Sequence, residues 1–218
     1  MEYFITGIDT DIGKTFITKG IALKFEKEGK KVGVFKPLQS SAIETTNGLL
    51  APDLEAIKEL SNNIKTKCSY IFKGDISPAL AARLAGIKID IDKIKTDLEE
   101  FKKENEITLV EGAGGILAPA TNTMLCADLI KELNIPIIIV TEPFLGRLNH
   151  TLLTIHYAKT NNIEIKGIII NKIPRETNNL ATQNFIDELK RYTDIKIIGE
   201  IKEIEQKDIF EEFKNITL

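Results

Sequence analysis

Short, almost wholly apolar runs recur along the chain at 3–6, 32–35, 107–110, 135–140, 165–170 and 195–198. None alternates with polar residues, so each predicts a central strand covered on both faces. The segments between them carry helical spacing. Over 16–30, Phe16, Ile17, Gly20, Ile21, Leu23 and Lys24 fall on one pattern, and Gly29 follows as a C-terminal stop. Residues 50–60, 78–84, 91–103, 126–133, 148–159 and 180–192 read the same way. This alternation predicts a mostly parallel sheet with right-handed crossovers, hence a three-layer α/β/α fold. Residues 37–52 and 62–79 are polar and irregular, and they read as functional loops of one domain spanning 1–218. Sheets of this kind bind ligands beyond the carboxyl ends of their strands, which directs attention to the loops there.

Composition narrows the class. Of the 218 residues, 43% are hydrophobic and 28% charged, which excludes a disordered chain. The net charge of -3, from 29 basic and 32 acidic side chains, includes no block of like charge, so no nucleic-acid partner is expected. The apolar runs stop short of the ~20 residues a membrane helix needs, and Met1-Glu2-Tyr3 has no basic leader character; a cytoplasmic location and no membrane partner are expected. Cys68 and Cys126 sit in no metal-type or redox-type doublet, so both read as reduced, apolar residues.

The strongest chemical signal is Gly7-Ile8-Asp9-Thr10-Asp11-Ile12-Gly13-Lys14-Thr15, set between the first apolar run and the first helix pattern. A glycine-rich turn at a helix N-terminus aims backbone N–H groups at a polyphosphate, and the helix dipole adds to the attraction. Asp11, Ile12, Gly13, Lys14, Thr15 and Phe16 form the expected nucleotide-binding turn; Lys14 would neutralise phosphate oxygens and the Thr15 hydroxyl would bind Mg2+. The strict pattern asks for glycine at position 8, where this chain has Ile8 and a glycine one place earlier. Downstream, the run at 107–110 ends in Glu111, followed by Gly112-Ala113-Gly114-Gly115. That places an acid where phosphate-loop enzymes hold their metal, beside a backbone bare enough for close approach. Lys36 ends the second run and is a second candidate cation for a transferred phosphoryl group. His150 and His156 lie in a helical segment and read as chemically inactive.

Together these residues resemble the dethiobiotin synthetase family over nearly the whole chain. The resemblance is carried by the loop at 7–15, Lys36-Pro37-Leu38-Gln39-Ser40, Val110-Glu111-Gly112-Ala113-Gly114-Gly115, Leu145-Gly146 with Asn149-His150, and Gly199-Glu200-Ile201. It implies a P-loop NTPase-like fold and a homodimer that uses ATP, Mg2+ and CO2 or bicarbonate to carboxylate 7,8-diaminopelargonate and close its ring. By the resemblance, Lys14, Lys36 and Thr10 are catalytic; Thr15, Asp53 and Glu111 hold the metal; and Asn171 contacts the base. Thr10, Lys36, Ser40 and Gly114 contact the substrate, and the helix start at Gly146, Leu148 and Asn149 holds its far carboxylate across the subunit interface, a role the charge of Arg147 would suit. Ser41 and Lys202 stand where the family commonly has glycine and proline, and relaxed base discrimination is expected from the latter. Two other classes share features of the motif. A partner-switching ATPase would carry a second loop lysine where Asp9 stands, and a cobalamin-precursor amidoligase would need an added glutaminase domain.

Overall fold

A computed structural model describes residues 1–204 and 209–218. The described strands and helices follow one another as β1 (Glu2–Gly7), α1 (Lys14–Lys27), β2 (Val32–Gln39), β3 (Ile43–Thr45), β4 (Gly48–Leu50), α2 (Pro52–Leu60), β5 (Lys65–Ile71), α3 (Pro78–Leu84), α4 (Ile91–Lys102), β6 (Ile107–Gly115), α5 (Cys126–Leu133), β7 (Ile137–Thr141), α6 (Arg147–Thr160), β8 (Ile165–Ile173), α7 (Leu180–Tyr192), β9 (Ile197–Lys202) and α8 (Ile209–Phe213). Seven strands form a parallel sheet in the order β5-β2-β6-β1-β7-β8-β9. The expected three layers are present because each central strand divides its side chains between two cores. Phe4 packs with α3 to α7, while Tyr3 and Ile5 pack with α1, α2 and α8.

Two expectations are corrected at the edges of the sheet. The 62–79 segment is not all loop, since it contains β5, an edge strand whose Lys-Thr-Lys-Cys-Ser-Tyr-Ile sequence lacks an apolar run because it is only half covered. The 195–198 run is likewise not a central strand; it leads into β9, the opposite edge. Within 37–52 the chain also forms the small β3-β4 hairpin. Gly29 does end α1, at φ 81°, with Lys30 N–H donating to Phe25 O at 3.0 Å. Helix α8 packs against α1 through Phe213, and residues 205–208 lie outside the described residues. Among the described residues no helix is long and apolar enough to cross a membrane. Both cysteines are free, and burial pushes their thiols up, to about 12 at Cys68 and about 11 at Cys126.

Candidate active site at the carboxyl end of the sheet

The sheet order places β1 between β6 and β7, so the chain leaves β1 toward one edge and later returns to the other; the crevice above this reversal is where such sheets hold ligands. Parallel register then does the assembly. Phe35 of β2 lies opposite Val110 of β6, so the next residues, Lys36 and Glu111, stand side by side. Alternation turns both toward the α1 and α2 layer, which delivers Thr15 and Asp53 to the same point.

The result is a buried polar cluster. Lys36 Nζ lies 2.5 Å from Asp53 Oδ2 and 2.8 Å from Glu111 Oε1, and it donates to Gly112 O at 3.2 Å. Thr15 Oγ1 is 3.1 Å from Asp53 Oδ1 and 2.9 Å from Glu111 Oε1. Burial pulls the Lys36 ammonium down, but the carboxylates of Glu111 and Asp53 outweigh it and hold the group above its ordinary value, firmly cationic. Burial pushes Asp53 up, yet Lys36, Thr15 and Gln39 bring it below the usual carboxylate range. Lys14 is lowered by burial and by the charge of Lys36, and its Nζ donates to Asp9 O at 2.9 Å.

Glu111 Oε2 is buried with no hydrogen-bond partner. An orphaned carboxylate oxygen beside a second carboxylate and a threonine hydroxyl is an oxygen-only donor set, which suits Mg2+. Among the described residues no group of three His, Cys, Asp or Glu side chains gathers as a metal site, so the fit rests on two carboxylates and one hydroxyl.

The phosphate loop owes its shape to local contacts. A Cβ at Gly7 would meet Ile12 Cδ1 at 2.5 Å, so the displaced glycine makes room for the loop's own buried isoleucine. Gly13 has φ 87°, and a Cβ there would also strike Asn171 Nδ2. Asn171 is buried and donates to Ile12 O at 2.9 Å, which ties β8 to the loop. The Phe16 ring meets Phe213 of α8 edge-on, with ring centroids 5.7 Å apart.

Thr10, Asp11, Gly13, Lys14, Thr15, Lys36, Ser40, Asp53, Glu111 and Gly114 all border one cavity of about 400 Å³. Gly146, Leu148 and Asn149 do not; they open α6, where Gly146 caps the helix at φ 85°. The α6 face instead borders an adjoining groove that shares Thr10 with the cavity. Arg147 is not a free cation for an anion. Its Nε lies 2.9 Å from Glu142 Oε1 and its Nη1 lies 3.1 Å from Asp9 Oδ2. Ser41 has φ 57°, the left-handed conformation that favours glycine, held by Ser41 Oγ donating to Asp75 Oδ1 at 3.0 Å. The sequence signals did not single out Glu142, and Gln39 entered only inside the 36–40 motif with no role of its own. Their signal was position alone, next to the carboxyl ends of β7 and β2.

The fold is shared with solved structures. A plasmid partition protein from Borrelia burgdorferi aligns with a TM-score of 0.63 at 18% identity, covering 99% of this chain and 95% of that one. The MinD protein of Pyrococcus horikoshii, complexed with Mg-ADP, aligns with a TM-score of 0.61 at 16% identity, covering 97% and 86%. At such identities the likeness establishes architecture, and with the lysine-bearing turn at 7–15 the class is that of the P-loop NTPases.

Sequence comparison goes further. A family model described as "AAA domain" matches residues 1–208. An ATP-dependent dethiobiotin synthetase BioD from Clostridium perfringens is 35% identical over 215 residues, covering 95% of this chain and 94% of its own. One from Methanococcus vannielii is 34% identical over 215 residues, covering 99% of each. The chain belongs to the ATP-dependent dethiobiotin synthetase family.

Proposed function

We propose that the chain, as a cytoplasmic single-domain homodimer, carboxylates 7,8-diaminopelargonate with CO2 at the expense of ATP and closes the product to dethiobiotin. The observation that carries this is the Lys36–Glu111–Asp53–Thr15 cluster set in one cavity with Lys14 and the phosphate loop. One substrate amine adds to CO2, forming a C–N bond and losing a proton to give a carbamate. A carbamate oxygen then takes the γ-phosphoryl group and ADP leaves. The second amine attacks the activated carbonyl carbon and gives up a proton, and phosphate departs as the C–O bond breaks and the cyclic urea forms.

The residues suit these steps. Carbamates are anionic and weak nucleophiles, so the main requirements are proximity and positive charge. The Lys36 ammonium, kept protonated by its two carboxylates, can balance the carbamate and the moving phosphoryl group without acting as a base. Lys14 faces the same cavity from the loop. The proton lost on carbamate formation needs no dedicated base in this reading; His150 borders the adjoining groove, 3.4 Å from Arg147 Nη1. Thr15, Asp53 and Glu111 would hold Mg2+, which supplies charge neutralisation at the phosphates. Thr10, Ser40 and Gly114 border the place the diamine would occupy. The first turn of α6, at Leu148 and Asn149, has N–H groups without intrahelical acceptors and would hold the far carboxylate of a diamine bound to the neighbouring subunit.

The test is ADP release measured with and without bicarbonate and 7,8-diaminopelargonate, with the product identified by mass. Release that requires both, with dethiobiotin formed, is expected. ATP turnover indifferent to the diamine would overturn the reading in favour of a partner-switching ATPase.

A further inference from the structure

Glu142 follows β7 and is 5% exposed, and nothing in the proposed reaction uses it. Its carboxylate is fully engaged, with Oε1 on Arg147 Nε at 2.9 Å and Oε2 on Lys172 Nζ at 3.1 Å. Each of those cations has a second contact, and both contacts fall on the phosphate loop. Lys172 Nζ donates to Asp11 O at 2.7 Å, and Arg147 Nη1 reaches Asp9 Oδ2 at 3.1 Å. Asp9 Oδ1 in turn accepts from Thr10 N–H at 2.8 Å.

The carbonyl at Asp11 matters because of the peptide plane. Across a trans peptide the C=O of one residue and the N–H of the next point in opposite directions, and the described chain has no cis bond. Holding Asp11 O toward Lys172 therefore turns the Ile12 N–H the other way. Asn171 does the same one step along by holding Ile12 O, which turns the Gly13 N–H. Both Asp11 and Lys172 adopt left-handed backbone, at φ 57° and 54°, a conformation that persists in non-glycine residues only where the surroundings fix it. Glu142 is the buried anchor that fixes Lys172.

We propose that Glu142 is a positioning residue for nucleotide binding: it holds Lys172 and Arg147 against the back of the phosphate loop, so that the loop's amides are already turned toward the phosphates before nucleotide arrives. The proposal rests on the nucleotide half of the function given above and not on the identity of the diamine. Without Glu142 the two cations repel each other, Lys172 loses its anchor, and the loop must be ordered at the cost of binding energy.

The experiment is titration of the full chain with Mg-ADP alone, followed by steady-state kinetics. Glu142→Gln weakens Mg-ADP by about tenfold, about 1.4 kcal/mol, and raises KM for ATP in proportion while lowering kcat by less than about threefold. Lys172→Met, which alters a half-exposed side chain, weakens Mg-ADP in the same direction with the melting temperature retained. In the double variant the losses multiply only in part, because Glu142 acts through Lys172 as well as through Arg147. Mg-ADP affinity of a folded Glu142→Gln within twofold of the parent overturns the proposal, as do losses that multiply in full in the double variant. Should Glu142→Gln fail to fold, unaltered Mg-ADP affinity in Lys172→Met overturns it equally. Failure of the dethiobiotin reading would show itself separately, as a parent protein that binds Mg-ADP but releases no ADP in response to the diamine.

Discussion

Replacing Lys36 by methionine removes one charge and little volume, and it tests both the cluster and its role. Lys14, Lys36, Asp53 and Glu111 carry charges that sum to zero, with Lys36 3% exposed and Glu111 1% exposed. In Lys36→Met the two carboxylates face each other around Thr15 Oγ1 with no ammonium between them. Taking one partner out of a buried ion pair costs about 3–5 kcal/mol, because the other charge stays buried. In a chain of this length that lowers the melting temperature by roughly 6–20 °C. The loss should be largest in chelator. Mg2+ at about 100 times its Kd adds about 2.7 kcal/mol by mass action to either protein, and the deficit narrows because Lys36→Met, whose oxygens lack a positive charge, binds the metal more tightly than the parent does. Turnover should stay at least ~10²-fold down even with saturating Mg2+, since the metal does not restore a charge at the Lys36 position. The assay is thermal unfolding in chelator and in Mg2+, paired with diamine-dependent ADP release. A melting temperature in chelator within about 2 °C of the parent, or near-parental turnover, would refute the reasoning.

Lys14→Ala should lower turnover by at least ~10²-fold, as expected when a preorganised charge is removed, and near-normal turnover would mean the phosphate site is elsewhere. Asp53 is held below its unfolded value, so its contribution to stability is present above about pH 4 and is lost as the pH falls through the lower folded value. Denaturant unfolding between about pH 6 and about pH 2, a span that brackets the ordinary carboxylate value near 4, should show that loss in the parent, and Asp53→Asn should flatten it; an unaltered slope would count against the assignment. Gly7→Ala brings a Cβ to 2.5 Å from Ile12 Cδ1 and should cost about 1–3 kcal/mol, read as a lower denaturation midpoint. Nucleotide titrations should show weak discrimination between ATP and other triphosphates, and strict ATP preference at high affinity would contradict the expectation drawn from Lys202.

Much of this was legible in the chain itself. Central strands such as β7 announce themselves because a strand covered on both faces can carry no polar side, and α3, α5 and α7 lie within the limits their spacing predicts. The phosphate loop is equally local, since nine consecutive residues contain both the glycines and the lysine. What stayed hidden depends on neighbours far away in sequence. The edge strand β5 and the true place of β9 follow from which strands find partners on one side only. That Lys36 meets Glu111 is a matter of register between strands 75 residues apart. Arg147 reads as a free cation until the fold sets Asp9 and Glu142 beside it. Local pattern selects the elements because burial acts on each segment's own side chains. Charge pairing belongs to tertiary structure, because Coulomb energy depends on distances that only the packed chain defines.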